Sequence, residues 1–416
     1  MNAMSLFRVA MLACLYATWA AATDFTVELD SILAANQDGI ESNRTTWITV
    51  QSAPGADVGV KQVRHAFEFG TAINRRGFVP NERISEADQK QYKRVLNANF
   101  NSVVHENAMK WYSNERQQDQ QTFADAEVML AWCEKNGLWT RGHCVYWGRD
   151  KLVQQWIKDL DDAALRSKLQ ERARLYMERF KGRVPEYDIN NEMLHCNYFE
   201  KRLGSEIREE MFEWCHAYAP EATLYVNDYS ILSGGDTERY VAQIEGFLKA
   251  GMPIGGIGVQ GHFGERVNGP AVKKKLDRLA QFGLPIKITE FDANTNDQQA
   301  KARALATLYA TAFAHPSVEG IYMWGFWQKS HWRPDAALWN AEWSETLAAE
   351  CYRELVFNRW WTRYEGKADA AGTCKVRVFL GTHDLTVNGH TRRIEIGKTT
   401  EDTVIDCRST APGPSR

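Results

Sequence analysis

Surplus basic charge is missing from this 416-residue sequence: 50 Lys and Arg stand against 53 Asp and Glu, for a net charge of -3. A chain with no cationic excess has little with which to track a phosphate backbone, so nucleic acid is not expected as a partner. Long apolar runs are missing too. Beyond the amino terminus no stretch approaches the roughly 20 apolar residues of a spanning helix, and no membrane anchor is expected. His143, Cys144, Cys196 and Cys215 raise the question of zinc, yet the chain has no Cys-x-x-Cys and no His-x-x-x-His spacing. Nor does a Gly-x-Gly-x-x-Gly cradle follow the first strand-like run. The expectation is a protein with no metal and no cofactor.

What is present is an ordinary globular balance, 44% hydrophobic and 25% charged, with many aromatics: 15 Trp, 15 Tyr and 18 Phe. Seven tryptophans (Trp324, Trp327, Trp332, Trp339, Trp343, Trp360 and Trp361) fall between positions 324 and 361. Flat apolar faces beside polar groups suit sugar rings as well as cores, which tilts the reading toward carbohydrate.

The first 22 residues read as a secretory signal peptide: Arg8 precedes the apolar run 9–17, and Ala20, Ala21 and Ala22 offer small residues for cleavage. A secreted, extracellular protein is expected. Asn43-Arg44-Thr45 is then a glycosylation sequon, and seven cysteines remain after cleavage. An odd number leaves at least one unpaired or paired between chains.

After a lead-in over 23–64, expected to pack on the barrel, strand-like runs recur at 65–72, 101–106, 139–145, 186–191, 223–227, 256–261, 285–290 and 320–325. Helical patterns lie between them, among them 153–180 and 298–314. Each interval has room for one strand, one helix and two loops, and eight such units match a (β/α)8 TIM barrel, an α/β fold, over 65–363. An open doubly wound sheet shares the pattern but lacks its glycine fingerprint. Beyond 363 the chain alternates as short strands around Asn388-Gly389, a hairpin dipeptide. The segment 364–416 is expected as a small β extension and tail that braces the barrel, with Cys374–Cys407 a candidate disulfide. Cys144–Cys196 is a second, since strands three and four are neighbours in a barrel.

Active sites of such barrels lie at the carboxyl ends of the strands. There the sequence places His105-Glu106-Asn107, Gly142-His143, Asn190-Asn191-Glu192, Asn227-Asp228-Tyr229, Gln260-Gly261-His262, Thr289-Glu290-Phe291-Asp292 and Trp324-Gly325. So many polar groups on one rim are costly to desolvate unless they bind something. Glu192 and Glu290 supply the two carboxyl groups that glycoside hydrolysis needs, one protonated and one ionised. His262 and Lys287 are candidate partners holding Glu290 in its charged form.

Phe67-Glu68-Phe69-Gly70-Thr71-Ala72, Glu106-Asn107-Ala108-Met109-Lys110-Trp111, Arg141-Gly142-His143, Tyr187-Asp188-Ile189-Asn190-Asn191-Glu192-Met193-Leu194, Asn227-Asp228-Tyr229, Gly258-Val259-Gln260-Gly261-His262, Ile288-Thr289-Glu290-Phe291-Asp292 and Trp324-Gly325-Phe326-Trp327 occur in one order. In that order the chain resembles glycoside hydrolase family 10, the endo-β-1,4-xylanases, and most of all the branch found in plants and some animals. The resemblance runs from about residue 39 into the β extension. It implies retaining endo-hydrolysis of xylan through a covalent glycosyl-enzyme, with Glu192 as acid/base, Glu290 as nucleophile and the two carboxyl groups about 5–5.5 Å apart. It also implies that Asn191 bonds the sugar 2-hydroxyl, that His262 and Asp292 support the nucleophile, and that Gln260 lines the same sugar. Glu106, Asn107, Lys110 and His143 would serve the glycone subsites, Trp147, Trp324 and Trp332 would wall them, and Tyr229 would stack on the aglycone side.

The partner implied is xylan or a related β-1,4-linked polysaccharide, taken by a monomer. A β-1,4-glucan or mixed-linkage glucan hydrolase, or a silent carbohydrate-binding homologue, are the alternatives. Family members often have His where Gly148 stands, an acidic residue at Gln328, Ser at His331 and Pro at Arg116. These departures bear on subsite shape and leave both glutamates in place.

Overall fold

The computed structural model describes residues 28–399 and 402–408; the expected signal peptide lies outside them. Two strands, β1 (Thr45–Gln51) and β2 (Asp57–His65), precede the barrel. The barrel is built from β3 (Glu68–Ile73), β4 (Ser102–His105), β5 (Trp139–Trp147), β6 (Glu186–Asn191), β7 (Thr223–Asp228), β8 (Gly256–Val259), β10 (Ile286–Ala293) and β11 (Val318–Met323). Each pairs in parallel with the next, and β11 returns to β3, which closes the (β/α)8 cylinder. A two-residue strand, β9 (His262–Phe263), adds itself beside the end of β10.

Local chemistry places the helices. Asp297 accepts from Gln299 and Ala300 N–H and so caps the expected helix at Gln298–Ala314. The run expected as one helix over 153–180 divides into Gln155–Lys158 and Asp162–Phe180. Asp161 accepts from the Ala164 N–H at 2.8 Å, and capping a second helix there ends the first. The barrel floor is ionic: Lys287 Nζ lies 2.8 Å from both carboxylate oxygens of Glu68 and also meets Glu186, while Arg141 pairs with Asp188.

The remaining strands are β12 (Arg363–Lys367), β13 (Thr373–Phe379), β14 (Gly381–Val387), β15 (His390–Ile396) and β16 (Thr403–Asp406). They form two sheets, in the orders β13-β1-β16 and β12-β2-β14-β15. The expected lead-in therefore supplies one strand to each sheet of the β extension. Ile48, Val50, Val58, Val60, Val376, Val378, Leu385 and Val387 form a core between them. The first barrel strand consequently starts at Glu68 rather than at 65, because His65 is still paired with Gly381. Gly381, at φ 137°, has no room for a Cβ, which would lie 2.1 Å from the Arg64 carbonyl oxygen. Asn388 and Gly389, at φ 48° and 83°, make the expected hairpin turn.

Neither expected disulfide forms, and the described cysteines are joined by none. Cys374 lies on β13 and Cys407 follows β16, with β1 between them. Two strand spacings, about 9–10 Å, exceed the span of a disulfide. Cys144 is buried in β5, and the Cys196 thiol turns to Glu192 instead.

The two units meet at Arg44, whose guanidinium donates to the carbonyls of Phe313 and His315 at 2.6 Å and of Val318 at 2.5 Å. Burial pulls its pKa down to about 10. Trp360 stacks on Phe313 with ring centres 4.4 Å apart, and Trp361 meets His65 edge-on. This tryptophan pair is therefore packing.

Candidate active site

The carboxyl ends of the strands open into a cleft of about 990 Å³. Of the residues expected to serve the site, Glu106, Asn107, Lys110, His143, Trp147, Asn191, Glu192, Tyr229, Gln260, His262, Glu290, Trp324 and Trp332 all line it. Asp292 stands behind His262, its side chain wholly enclosed.

Glu290 lies buried on β10, where the pairing with β11 shifts register between Ile288 and Phe291. Asn227 Nδ2 donates to its Oε1 at 3.2 Å, and His262 Nε2 lies 3.3 Å from its Oε2. Burial by itself would raise the carboxyl pKa; the hydrogen bond from His262 and the charges of His143, His262 and Lys110 outweigh it, and the net direction is down. His262 is in turn set by Asp292, with Nδ1 2.9 Å from Oδ2. Burial opposes its charge, but Asp292 and Glu290 overcome this and carry its pKa up to about 9. Asp292 also accepts from Trp332 Nε1 at 2.9 Å and Arg333 Nη1 at 3.0 Å. Lys287, offered by the sequence as a partner for Glu290, instead serves Glu68 and Glu186. Three residues along a strand, about 10 Å, separate the two positions.

Glu192 follows β6 at φ 62°, and its N–H donates to the Asn227 carbonyl at 2.8 Å. Its Oε2 accepts from Trp147 Nε1 at 2.8 Å and from the Cys196 thiol at 3.3 Å; its Oε1 accepts from Gln260 Nε2 at 3.0 Å. Burial first, then the Glu192 charge, lift the Cys196 thiol to about 12, so it remains a donor. Asn227 also joins the two halves of the site: its Nδ2 donates to Asn191 Oδ1 at 2.9 Å and its Oδ1 accepts from Thr289 at 2.6 Å.

On one flank Glu106 accepts from Asn74 at 2.6 Å and Asn107 at 3.0 Å. His143 Nδ1 faces Asp188 Oδ2 at 2.7 Å, which leaves Nε2 with no protein partner and available to a hydroxyl. Lys110 Nζ sits 4.5 Å from the Trp147 ring and 5.7 Å from that of Trp324. On the other flank Tyr229 stacks on His195 at 4.0 Å. His195 lies between Asp228 and Asp236, and its pKa is raised, chiefly by its hydrogen bond to Asp228.

Asn227, Asp188, His195, Cys196 and Arg333 were not picked out from sequence as site residues. Asn227 stands in a motif the sequence does show, at a strand end, and that position was its signal. Asp188 likewise stands in such a motif and Cys196 lies four residues past Glu192, whereas His195 and Arg333 act through partners distant in the chain and carry no comparable mark.

A closed (β/α)8 barrel whose carboxyl face sets two buried glutamates in one polar, tryptophan-walled cleft defines the class. Within it, the family described as Glycosyl hydrolase family 10 matches residues 60–355, and the chain belongs to that family. It is 38% identical over 337 residues to Endo-1,4-beta-xylanase 1 of Arabidopsis thaliana, covering 80% of this chain and 34% of that protein. It is also 39% identical over 324 residues to Anti-sigma-I factor RsgI6 of Acetivibrio thermocellus, covering 78% and 41% respectively. The chain thus spans about a third to two fifths of these curated relatives. Native xylanase 10B from Thermotoga maritima superposes with a TM-score of 0.65 at 26% identity, over 71% of this chain and 96% of that one. Xylanase 10B from Thermotoga petrophila RKU-1, solved in complex with xylobiose, matches with the same score and identity over 71% and 95%.

Proposed function

We propose that this protein is a secreted, monomeric endo-β-1,4-xylanase that cleaves xylan with retention of configuration. The observation that carries the reading is the unequal setting of the two glutamates in one cleft. Glu290 is held ionised by His262 and its charged neighbours, as a nucleophile must be, and Glu192 is aimed by Trp147 and Gln260. Glu290 attacks the anomeric carbon while Glu192 gives its proton to the departing glycosidic oxygen, forming a glycosyl ester. Glu192 then takes a proton from water, which attacks the same carbon and releases Glu290. Asn191, its Oδ1 tied to Asn227, keeps its Nδ2 for the sugar at the cleavage point. Export is supported by the sequence pattern over residues 1–22.

The test is release of reducing ends from xylan, carboxymethylcellulose and mixed-linkage glucan by purified protein, with the anomer of the first product read by NMR. Xylan hydrolysed to the β-anomer, and not by Glu290→Ala, is expected. Full xylan hydrolysis by Glu290→Ala, or an α-anomeric first product, overturns the mechanism.

A further inference from the structure

We propose that the wall of the cleft beside Tyr229 is a subsite for an acidic substituent on the sugar chain, a uronic acid carboxylate received by Arg149, Lys151 and Lys201. This rests on the reading of the cleft as a xylan-cleaving site and specifies which xylan it takes.

The wall is made by two loops drawn together. The loop leaving β5 and the loop leaving β6 join in a parallel bridge between Gly148 and Asn197, and the Tyr198 N–H donates to the Gly148 carbonyl at 3.1 Å. Only a residue without a side chain permits this approach: a Cβ at 148 would lie 2.9 Å from the Cys196 carbonyl oxygen and 3.2 Å from the Tyr198 nitrogen. Gly148 is one of the positions at which the sequence departs from its family's habit. Its consequence is to bring Arg149 and Lys151 onto the same cleft as Lys201.

All three cations are exposed, and among the described residues none has a carboxylate within 4.0 Å. Their neighbours are treated differently. Arg202 is tied to Asp162 at 2.7 Å and Arg208 to Glu200 at 3.4 Å. Apart from Glu192 itself, Asp150 is the one carboxylate that these two loops bring to the cleft among the described residues, so the three cations outnumber the acidic groups beside them. The Arg149 guanidinium lies over the Trp147 ring, 5.5 Å from its centre, and lines the same cleft as Tyr229. A neutral pentose backbone offers these cations hydroxyl acceptors but no opposite charge, so only an acidic group makes use of the charge itself. Because the same cavity contains Glu192 and Glu290, the anion they receive belongs to the chain being cut, and on xylan that means a substituent. Exposed cations of this kind act by steering and by modest pairing in the bound state.

The experiment compares glucuronoxylan with the same polymer after its carboxyl groups are reduced to alcohols. At low salt the wild-type kcat/KM should be about fivefold higher on the carboxylated polymer, the size that exposed ion pairs reach together. The ratio should fall toward one in Arg149→Gln/Lys151→Gln/Lys201→Gln, drop below one in Lys151→Glu/Lys201→Glu, and shrink for wild type in about 0.5 M salt. A wild-type ratio of one, or a ratio the substitutions leave alone, overturns the proposal. Should the protein hydrolyse neither polymer, the xylanase reading fails on its own account. The subsite is then judged by retardation in native gels containing each polymer, where equal retardation overturns it and a preference lost in the triple variant upholds it.

Discussion

His262 Nε2 lies 3.3 Å from Oε2 of Glu290, so the group that keeps the candidate nucleophile charged is itself a base that titrates. Its folded pKa of about 9 stands above the roughly 6.5 of a free histidine. The protonated ring is thus bound more tightly in the folded protein than in the unfolded one. That stabilisation is complete below pH 6.5 and is lost as pH rises through 9. For this buried group it is of order 3 kcal/mol. The melting temperature should therefore fall between pH 6.5 and 9 in the wild type and much less in His262→Gln. Parallel curves for the two proteins would remove His262 from this role.

Glu290 works in the opposite sense. Its lowered pKa contributes stability above the unfolded carboxylate value, and this is lost as pH falls through the folded one. Glu290→Gln is accordingly expected to flatten the acid side of the same melting profile while abolishing xylan hydrolysis.

The two glutamates should separate by leaving group. Glu192→Ala removes proton donation and is expected to slow xylan hydrolysis by about 10²–10⁴. A nitrophenyl glycoside, whose leaving group needs no proton, should lose far less in glycosylation. Glu290→Ala should lose both substrates alike. Equal losses on both substrates in Glu192→Ala would deny it the acid role.

Asn227 is buried and holds Asn191, Glu290 and Thr289 together. Asn227→Ala leaves these partners unsatisfied and should cost roughly 2–3 kcal/mol in urea unfolding, with kcat reduced as well. A variant as stable and as active as wild type would show the bridge to be idle.

Lys287 sits between Glu68 and Glu186 at the barrel floor. Burial and then Glu186 raise the Glu68 pKa while Lys287 opposes them, so losing the lysine leaves the half-buried Glu68 facing Glu186 with no cation of its own, and Glu186 with Arg141 alone. Lys287→Met should destabilise the fold by about 3–5 kcal/mol, partly recovered in Lys287→Met/Glu68→Gln. Urea unfolding of the single and double variants measures both effects, and no recovery would count against the pairing.

The barrel was legible because each βα unit is written locally. Strand runs such as Glu186–Asn191 alternate with helices that carry their own caps, as Asp297 does for Gln298–Ala314. The cleft residues were legible because a strand end in this fold can face only one rim. The β extension was half legible: the hairpin at Asn388-Gly389 is a local signal, but β1 and β2 reach their partners across some 300 residues, and nothing in a strand's own sequence names its distant neighbour. The Cys374–Cys407 expectation failed for that reason, since only the placement of β1 between the two cysteines shows that they stand apart.

By itself, then, the sequence determined the fold class, the family and the rim on which Glu192 and Glu290 stand, because periodicity and strand-end chemistry are properties of short segments. Tertiary structure decided between the partners that the sequence left open: that Lys287 serves Glu68 and Glu186 while His262 reaches Glu290, that Asn227 links the two halves of the site, and that Gly148 lets two loops meet at the cleft. Those outcomes depend on distances between residues far apart in the chain, which only the closed barrel sets.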